Sequence, residues 1–164
     1  RRMVLSGAAQ GWVSGVAATR GGDVVASIGS KVFIWDGATG RVRLQIPAGG
    51  GLARFVLLQG EDKLVAFSSS GASVWSIAQS ATRLRRISAP EPEHLVASSG
   101  QFAACGSRGR AGAEGAPTRW FGSWDVATGG SLVFIEVPSS PLDSIFQCSV
   151  AAGTSALLLE ELTR

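Results

Sequence analysis

The stretch VFIWDGATGRVRLQI, residues 32 to 46, sets a Trp-Asp pair and an Ala-Thr-Gly turn between two runs in which apolar residues alternate. The stretch SWDVATGGSLVFIEV, residues 123 to 137, repeats the plan with the same spacing from tryptophan to glycine. Alternation is the period of a strand with one buried face, and a glycine between two such runs supplies the backbone freedom a tight hairpin needs. Two copies of one hairpin make a repeat, and a repeat fixes architecture before any single residue does.

Working outward from Trp35, period-two runs and Gly/Ser punctuation divide the first copy into four strands: Trp12 to Ala17, Asp23 to Ile28, Lys31 to Asp36 and Arg41 to Ile46. A shift of about forty residues lays Val24-Val25-Ala26 on Leu64-Val65-Ala66 and Trp35 on Trp75. The second copy then has strands Ala53 to Gln59, Lys63 to Ser68, Ala72 to Ile77 and Arg83 to Ile87. A third copy starts at EPEHLVASSGQFAACGS, is interrupted by the polar, Gly/Ala-rich RGRAGAEGAPT, and resumes at RWFGSWDVATGG with Trp124 in register. A fourth, SIFQCSVAAGTSALLLEELTR, supplies two strands.

This reading predicts an all-β fold, a β-propeller of four-stranded antiparallel blades, with about three complete blades and partial ones at both ends of a larger propeller. Residues 1–6 would end a preceding blade. Residues 7–46, 47–88 and 89–137 would be blades, the last with an insertion at 108–118, and 138–164 would begin another. Trp35, Trp75 and Trp124 are expected at one buried position on the third strand of successive blades.

These residues resemble the WD40 repeat family. The resemblance rests on WVSGVAATRGGDVVAS and VFIWDGATG in the first copy, and above all on Trp35-Asp36 with Thr39-Gly40 and Trp124-Asp125 with Thr128-Gly129. It implies a propeller that presents loops from a rigid frame. Where the family places a histidine, the first copy has Ala8 and the second lies near Ala48, so the blades are expected to be held by apolar packing between sheets.

Composition narrows the function classes. The chain has 164 residues, 45% hydrophobic and 16% charged, enough apolar material to bury a core. Its formal charge is +3, and Arg1, Arg41, Arg83, Arg119 and Arg164 are scattered rather than gathered in a stripe, which argues against nucleic acid. No apolar run is long enough to span a bilayer, and the first ten residues lack the apolar centre of a signal peptide, so no membrane insertion is expected. Cys105 and Cys148 have neither C-x-x-C spacing nor neighbouring ligands and read as buried free thiols, which favours an intracellular, cytoplasmic setting.

The catalytic inventory is thin. His94 is the one histidine, and Glu93 beside it points to the opposite face of a strand. No metal-ligand spacing and no phosphate-loop motif occurs, so neither metal nor cofactor is expected. RLRRIS, Arg83 to Ser88, has the form of a basophilic kinase site, yet a strand-bound serine would be hard to present. The expected role is a non-catalytic protein-protein interaction scaffold, partnered by other proteins and by the remaining blades of its own propeller. The alternative is the propeller of an enzyme or regulatory sensor whose active residues lie elsewhere. The candidate partner site is the broken repeat: Arg108 and Arg110 in the insertion, with Arg119 and a partly exposed Trp120 at its base, an arginine and aromatic mix favoured at hot spots. Trp12, Trp120 and Trp124 could form a stacking platform, but inter-blade core is the commoner fate of such residues.

Overall fold

The computed structural model describes residues 5–7, 11–51, 53–58, 60, 62–98, 100–108, 118–138, 145–150 and 157–162. Strand follows strand throughout, and the described residues contain no helix. The chain divides into two units, residues 1–91 and 92–164.

In the first unit, β1 (Val13–Ala18), β2 (Val24–Ile28), β3 (Lys31–Trp35) and β4 (Val42–Pro47) form one antiparallel sheet in chain order. β5 (Arg54–Leu57), β6 (Lys63–Ser68), β7 (Gly71–Ser76) and β8 (Thr82–Ile87) form the next. Both are meanders, each strand pairing with its sequence neighbour, as short turns require.

The two sheets pack face to face. Val25, Val32, Ile34 and Ile46 of the first meet Ala53, Leu64, Ala66, Trp75 and Ile77 of the second in one buried cluster. The other face of the first sheet gathers Ala26, Phe33 and Trp35, with Phe33 and Trp35 rings 5.6 Å apart. Strands with apolar residues on both faces are what a sheet stacked on each side demands, and β2, β3 and β6 have them. A backbone bond ties the sheets as well: the Ala53 N–H donates to the Gly29 carbonyl at 2.8 Å. Ser14 adds a hydroxyl bond to the Ala53 carbonyl and another to Ser27 Oγ at 2.8 Å.

In the second unit, β9 (His94–Ala97), β10 (Gln101–Arg108), β11 (Thr118–Asp125) and β12 (Ser131–Pro138) form a third four-stranded antiparallel sheet. β13 (Ile145–Val150) and β14 (Leu157–Leu162) pair antiparallel, and β13 lies beside β9 and β10. The long strands β10 and β11 stay paired out to Arg108 opposite Thr118. The expected break at 108–118 is therefore narrower than its sequence suggested, because both of its end residues belong to the ladder. Residues 109–117 lie outside the described residues.

The fourth strand of each four-stranded sheet is bulged at the same place. Trp35 and Ile34 face Val42 and Leu44, leaving Arg43 without an opposite residue. Trp75 and Val74 face Arg83 and Arg85, skipping Leu84, and Trp124 and Ser123 face Ser131 and Val133, skipping Leu132. A residue inserted on one side of an antiparallel pair bends that strand and increases its twist. The recurrence carries the repeat into backbone geometry.

Candidate functional site

The Trp-Asp-x-x-Thr-Gly pieces build turns. Asp36 Oδ1 accepts bonds from the Thr39 N–H at 2.7 Å, Thr39 Oγ1 at 2.8 Å and the Ala38 N–H at 3.1 Å. Asp125 accepts the same pair from Thr128, at 2.6 and 2.8 Å. The Gly40 and Gly129 N–H groups close the loops onto the carbonyls of Asp36 and Asp125, each at 2.8 Å. Both glycines have positive φ, 70° and 73°, where a side chain would be strained. The hydrogen bonds from Thr39, side chain first, hold the Asp36 carboxyl below the ordinary carboxylate range. These residues are committed to closing hairpins.

Trp35, Trp75 and Trp124 sit at one position of the third strand, with relative exposures of 2%, 8% and 2%. The Trp35 Nε1–H donates to the Ser6 carbonyl at 3.0 Å, whereas the buried Trp75 and Trp120 Nε1 atoms have no hydrogen-bond partner among the described residues. Trp12 departs from the core reading altogether. At 85% exposed it is the most open large apolar side chain described, with Val13 and Val16 exposed beside it.

At the broken repeat, Arg119 is half-buried and stands opposite Ser107 and Val137, and Arg108 stands opposite Thr118. Arg110 lies outside the described residues. Trp120 corrects the expectation of a partly exposed ring, being only 3% exposed. The reason is its partner across the ladder: Gly106 stands opposite, and a methyl group there would meet the indole at 3.2 Å. The ring thus fills the space a side chain would take. It stacks on Phe134 at 6.1 Å and meets Trp124 edge-on at 6.3 Å.

The surface that the repeat pattern did not announce is β12. Leu132, Val133, Phe134, Ile135 and Val137 are 43–51% exposed, so apolar residues emerge on both faces of an edge strand. In β4, exposed Arg43 and Gln45 alternate with more buried Val42, Leu44 and Ile46. A usable signal was in the sequence: Leu132 to Ile135 abandon alternation, which is the pattern of a strand covered on two sides.

Cys105 is disulfide-bonded, and Cys148 is the one other cysteine of the sequence. This overturns the expectation of free thiols and removes the argument it gave for a reducing compartment. β13, which contains Cys148, lies beside β10, which contains Cys105, an adjacency that residue spacing did not reveal. His94 is exposed, and Glu93 accepts bonds from the Ser107 N–H, at 3.1 Å, and from its hydroxyl. Ser88 follows the end of β8 and is exposed, so it is not strand-bound as expected. Among the described residues no group of three His, Cys, Asp or Glu side chains could hold a metal ion, and no helix is long and apolar enough to cross a membrane.

No protein-family model matches the chain, and no curated protein matches it. Solved structures do. The WD40 β-propeller domain of Doa1 superposes with a TM-score of 0.56 at 18% identity, over 83% of this chain and 46% of that one. The fold is that of β-propeller blades. Kuenenia stuttgartiensis hydrazine synthase matches with a TM-score of 0.62 at 14% identity, over 82% of this chain and 40% of its own. Pyrococcus horikoshii acylaminoacyl peptidase matches at 0.59 and 12%, over 86% and 26%. The chain spans less than half the length of each. At such identities the likeness is one of fold, and it is shared by proteins named as enzymes and by a propeller domain named as such.

Proposed function

We propose that these blades form a WD40-like, non-catalytic platform for protein-protein interaction within a larger multidomain protein or complex subunit, with β12 and the neighbouring end of β11 as a contact surface. The observation that carries the reading is the row of apolar side chains exposed along β12. A contiguous apolar surface on an otherwise ordinary blade marks a place where a partner excludes water. Phe134 is suited to anchor it, because the buried Trp120 ring lies stacked against it and holds it in place. Arg119, opposite Val137, would supply polar contact at the rim. The non-catalytic part of the reading is supported by how the acidic groups are used: Asp36 and Asp125 close turns and Glu93 holds Ser107.

The test uses the parent protein purified with its native partners. Phe134→Ser with Ile135→Ser should release the partner while leaving the circular dichroism spectrum unchanged. Retention of the partner by a folded double variant would refute the surface. Deleting residues 109–117 separately asks whether the insertion contributes.

A further inference from the structure

We propose that Ser88 is a phosphorylation site, the acceptor for a serine/threonine kinase that reads arginines on the N-terminal side of its target. The inference concerns a covalent modification and does not depend on the platform reading.

RLRRIS, Arg83 to Ser88, gives Ser88 three arginines among the five residues before it, a setting that no other serine or threonine of the sequence shares. Such a motif counts only where its hydroxyl can be presented. β8 stops at Ile87, whose pairing with Ala72 is the last rung of the ladder with β7. Ser88 is the first residue beyond the sheet, and it is exposed. After it, Ala89-Pro90-Glu91-Pro92 runs on with neither strand nor helix, and its two prolines have no N–H to offer a ladder. The first compact unit ends at Glu91, so Ser88 lies in the connection between units, the kind of segment most open to a modifying enzyme. Seating the hydroxyl in a kinase cleft disturbs only the terminal rung at Ile87, and strand ends are the cheapest part of a sheet to open.

The charges stand on the same stretch. β8 ends its sheet, and Thr82 to Arg86 are all exposed on an extended backbone. Arg83 and Arg86 precede Ser88 by five and two residues. The Arg86 guanidinium donates to the Ser70 carbonyl at 2.9 Å, a neutral acceptor that a kinase carboxylate outbids with a charge-assisted bond. In the transfer, the γ-phosphoryl group of ATP leaves the bridging oxygen of ADP and bonds to Ser88 Oγ, while the hydroxyl proton passes to the kinase's catalytic aspartate. The product adds a charge of about −1.5 to −2 at neutral pH. Two residues from Arg86, that phosphate competes with the Ser70 carbonyl for the same guanidinium. Modification therefore alters both the charge of this edge and its tie to the turn between β6 and β7. The competing role for arginines on an edge strand is to keep other strands away.

The experiment incubates the full 164-residue chain, and in parallel a synthetic peptide of residues 82–92, with ATP and the catalytic subunit of cyclic-AMP-dependent protein kinase. We expect one phosphoryl group per chain by intact mass, mapped to Ser88 by fragmentation and absent from Ser88→Ala. The kcat/KM of the folded chain should lie within about tenfold of that of the peptide, since little opening is needed. The double variant Arg83→Ala, Arg86→Ala should lose about tenfold or more in chain and peptide alike, which a purely structural role for the arginines would not produce in the peptide. A deficit of the folded chain beyond tenfold would show the site closed and overturn the proposal. No incorporation into the chain, incorporation at another residue, or an undiminished rate in the double variant would each overturn it as well, leaving edge protection as the role of the arginines.

Discussion

Arg43 holds Asp23 of its own blade at 3.0 Å and, through its other terminal nitrogen, donates to the Ile77 and Ala78 carbonyls of the next blade at 3.1 and 3.0 Å. One side chain thus joins two sheets whose remaining contacts are largely apolar. Because the side chains of Arg43 and Asp23 are each less than a third exposed, these bonds should exceed an ordinary surface ion pair. Arg43→Ala should destabilise the first unit by about 1–3 kcal/mol in chemical denaturation. Arg43→Lys should not restore the loss, since an ammonium lacks the planar fork that reaches three acceptors.

Trp35 and Trp75 share a position but differ in the fate of the indole N–H. Replacing either with alanine should cost about 3–5 kcal/mol. Replacing each with phenylalanine separates them. Trp35→Phe loses the bond to Ser6, whereas Trp75→Phe removes a buried donor that has no partner among the described residues, so the first should cost about 1 kcal/mol more than the second. Equal losses in matched urea titrations would contradict this.

Gly122 leaves no room for a side chain. A methyl group there would lie 2.3 Å from Trp124 Cη2, so Gly122→Ala must displace that ring. A loss of about 1–3 kcal/mol is expected, together with altered near-ultraviolet dichroism from the Trp120, Trp124 and Phe134 group.

Asp36 sets a sign for acid stability. Its carboxyl is held below the reference value of 3.8, so its contribution is present above that pH and is lost as pH falls through the lower, folded value. Asp36→Asn should therefore flatten the stability profile below about pH 4, leaving the slope near neutrality unchanged. A steeper acid limb in the variant would reverse the assignment.

The disulfide at Cys105 predicts that the denatured, unreduced chain offers no reactive thiol and the reduced chain offers both. Cys105→Ser should cost about 2–4 kcal/mol. Thiol titration and thermal unfolding check the two statements independently.

The parts legible in the sequence were those fixed by local rules. Thr39-Gly40 and Thr128-Gly129 announce their hairpins because glycine is needed just there, and Trp35, Trp75 and Trp124 announce the third strand through spacing. What escaped depended on partners distant in sequence. Trp120 is buried because Gly106 lies across the ladder, and Cys105 is bonded because another strand passes beside β10. Trp12 looked like core because tryptophan usually is, yet it precedes β1, the strand at the sheet's margin. Arg108, expected in the insertion, belongs instead to a paired strand opposite Thr118.

The recurring bulge beside each tryptophan leaves one residue per blade exempt from ladder pairing: Arg43, Leu84 or Leu132. Such a position works as a socket in a fixed rack. An arginine in it clasps the adjoining blade; a leucine in it, half exposed in both cases, turns outward. A single codon change at the socket can therefore exchange internal cohesion for outward stickiness without altering strand register, which gives repeated blades a cheap route to acquiring separate binding habits.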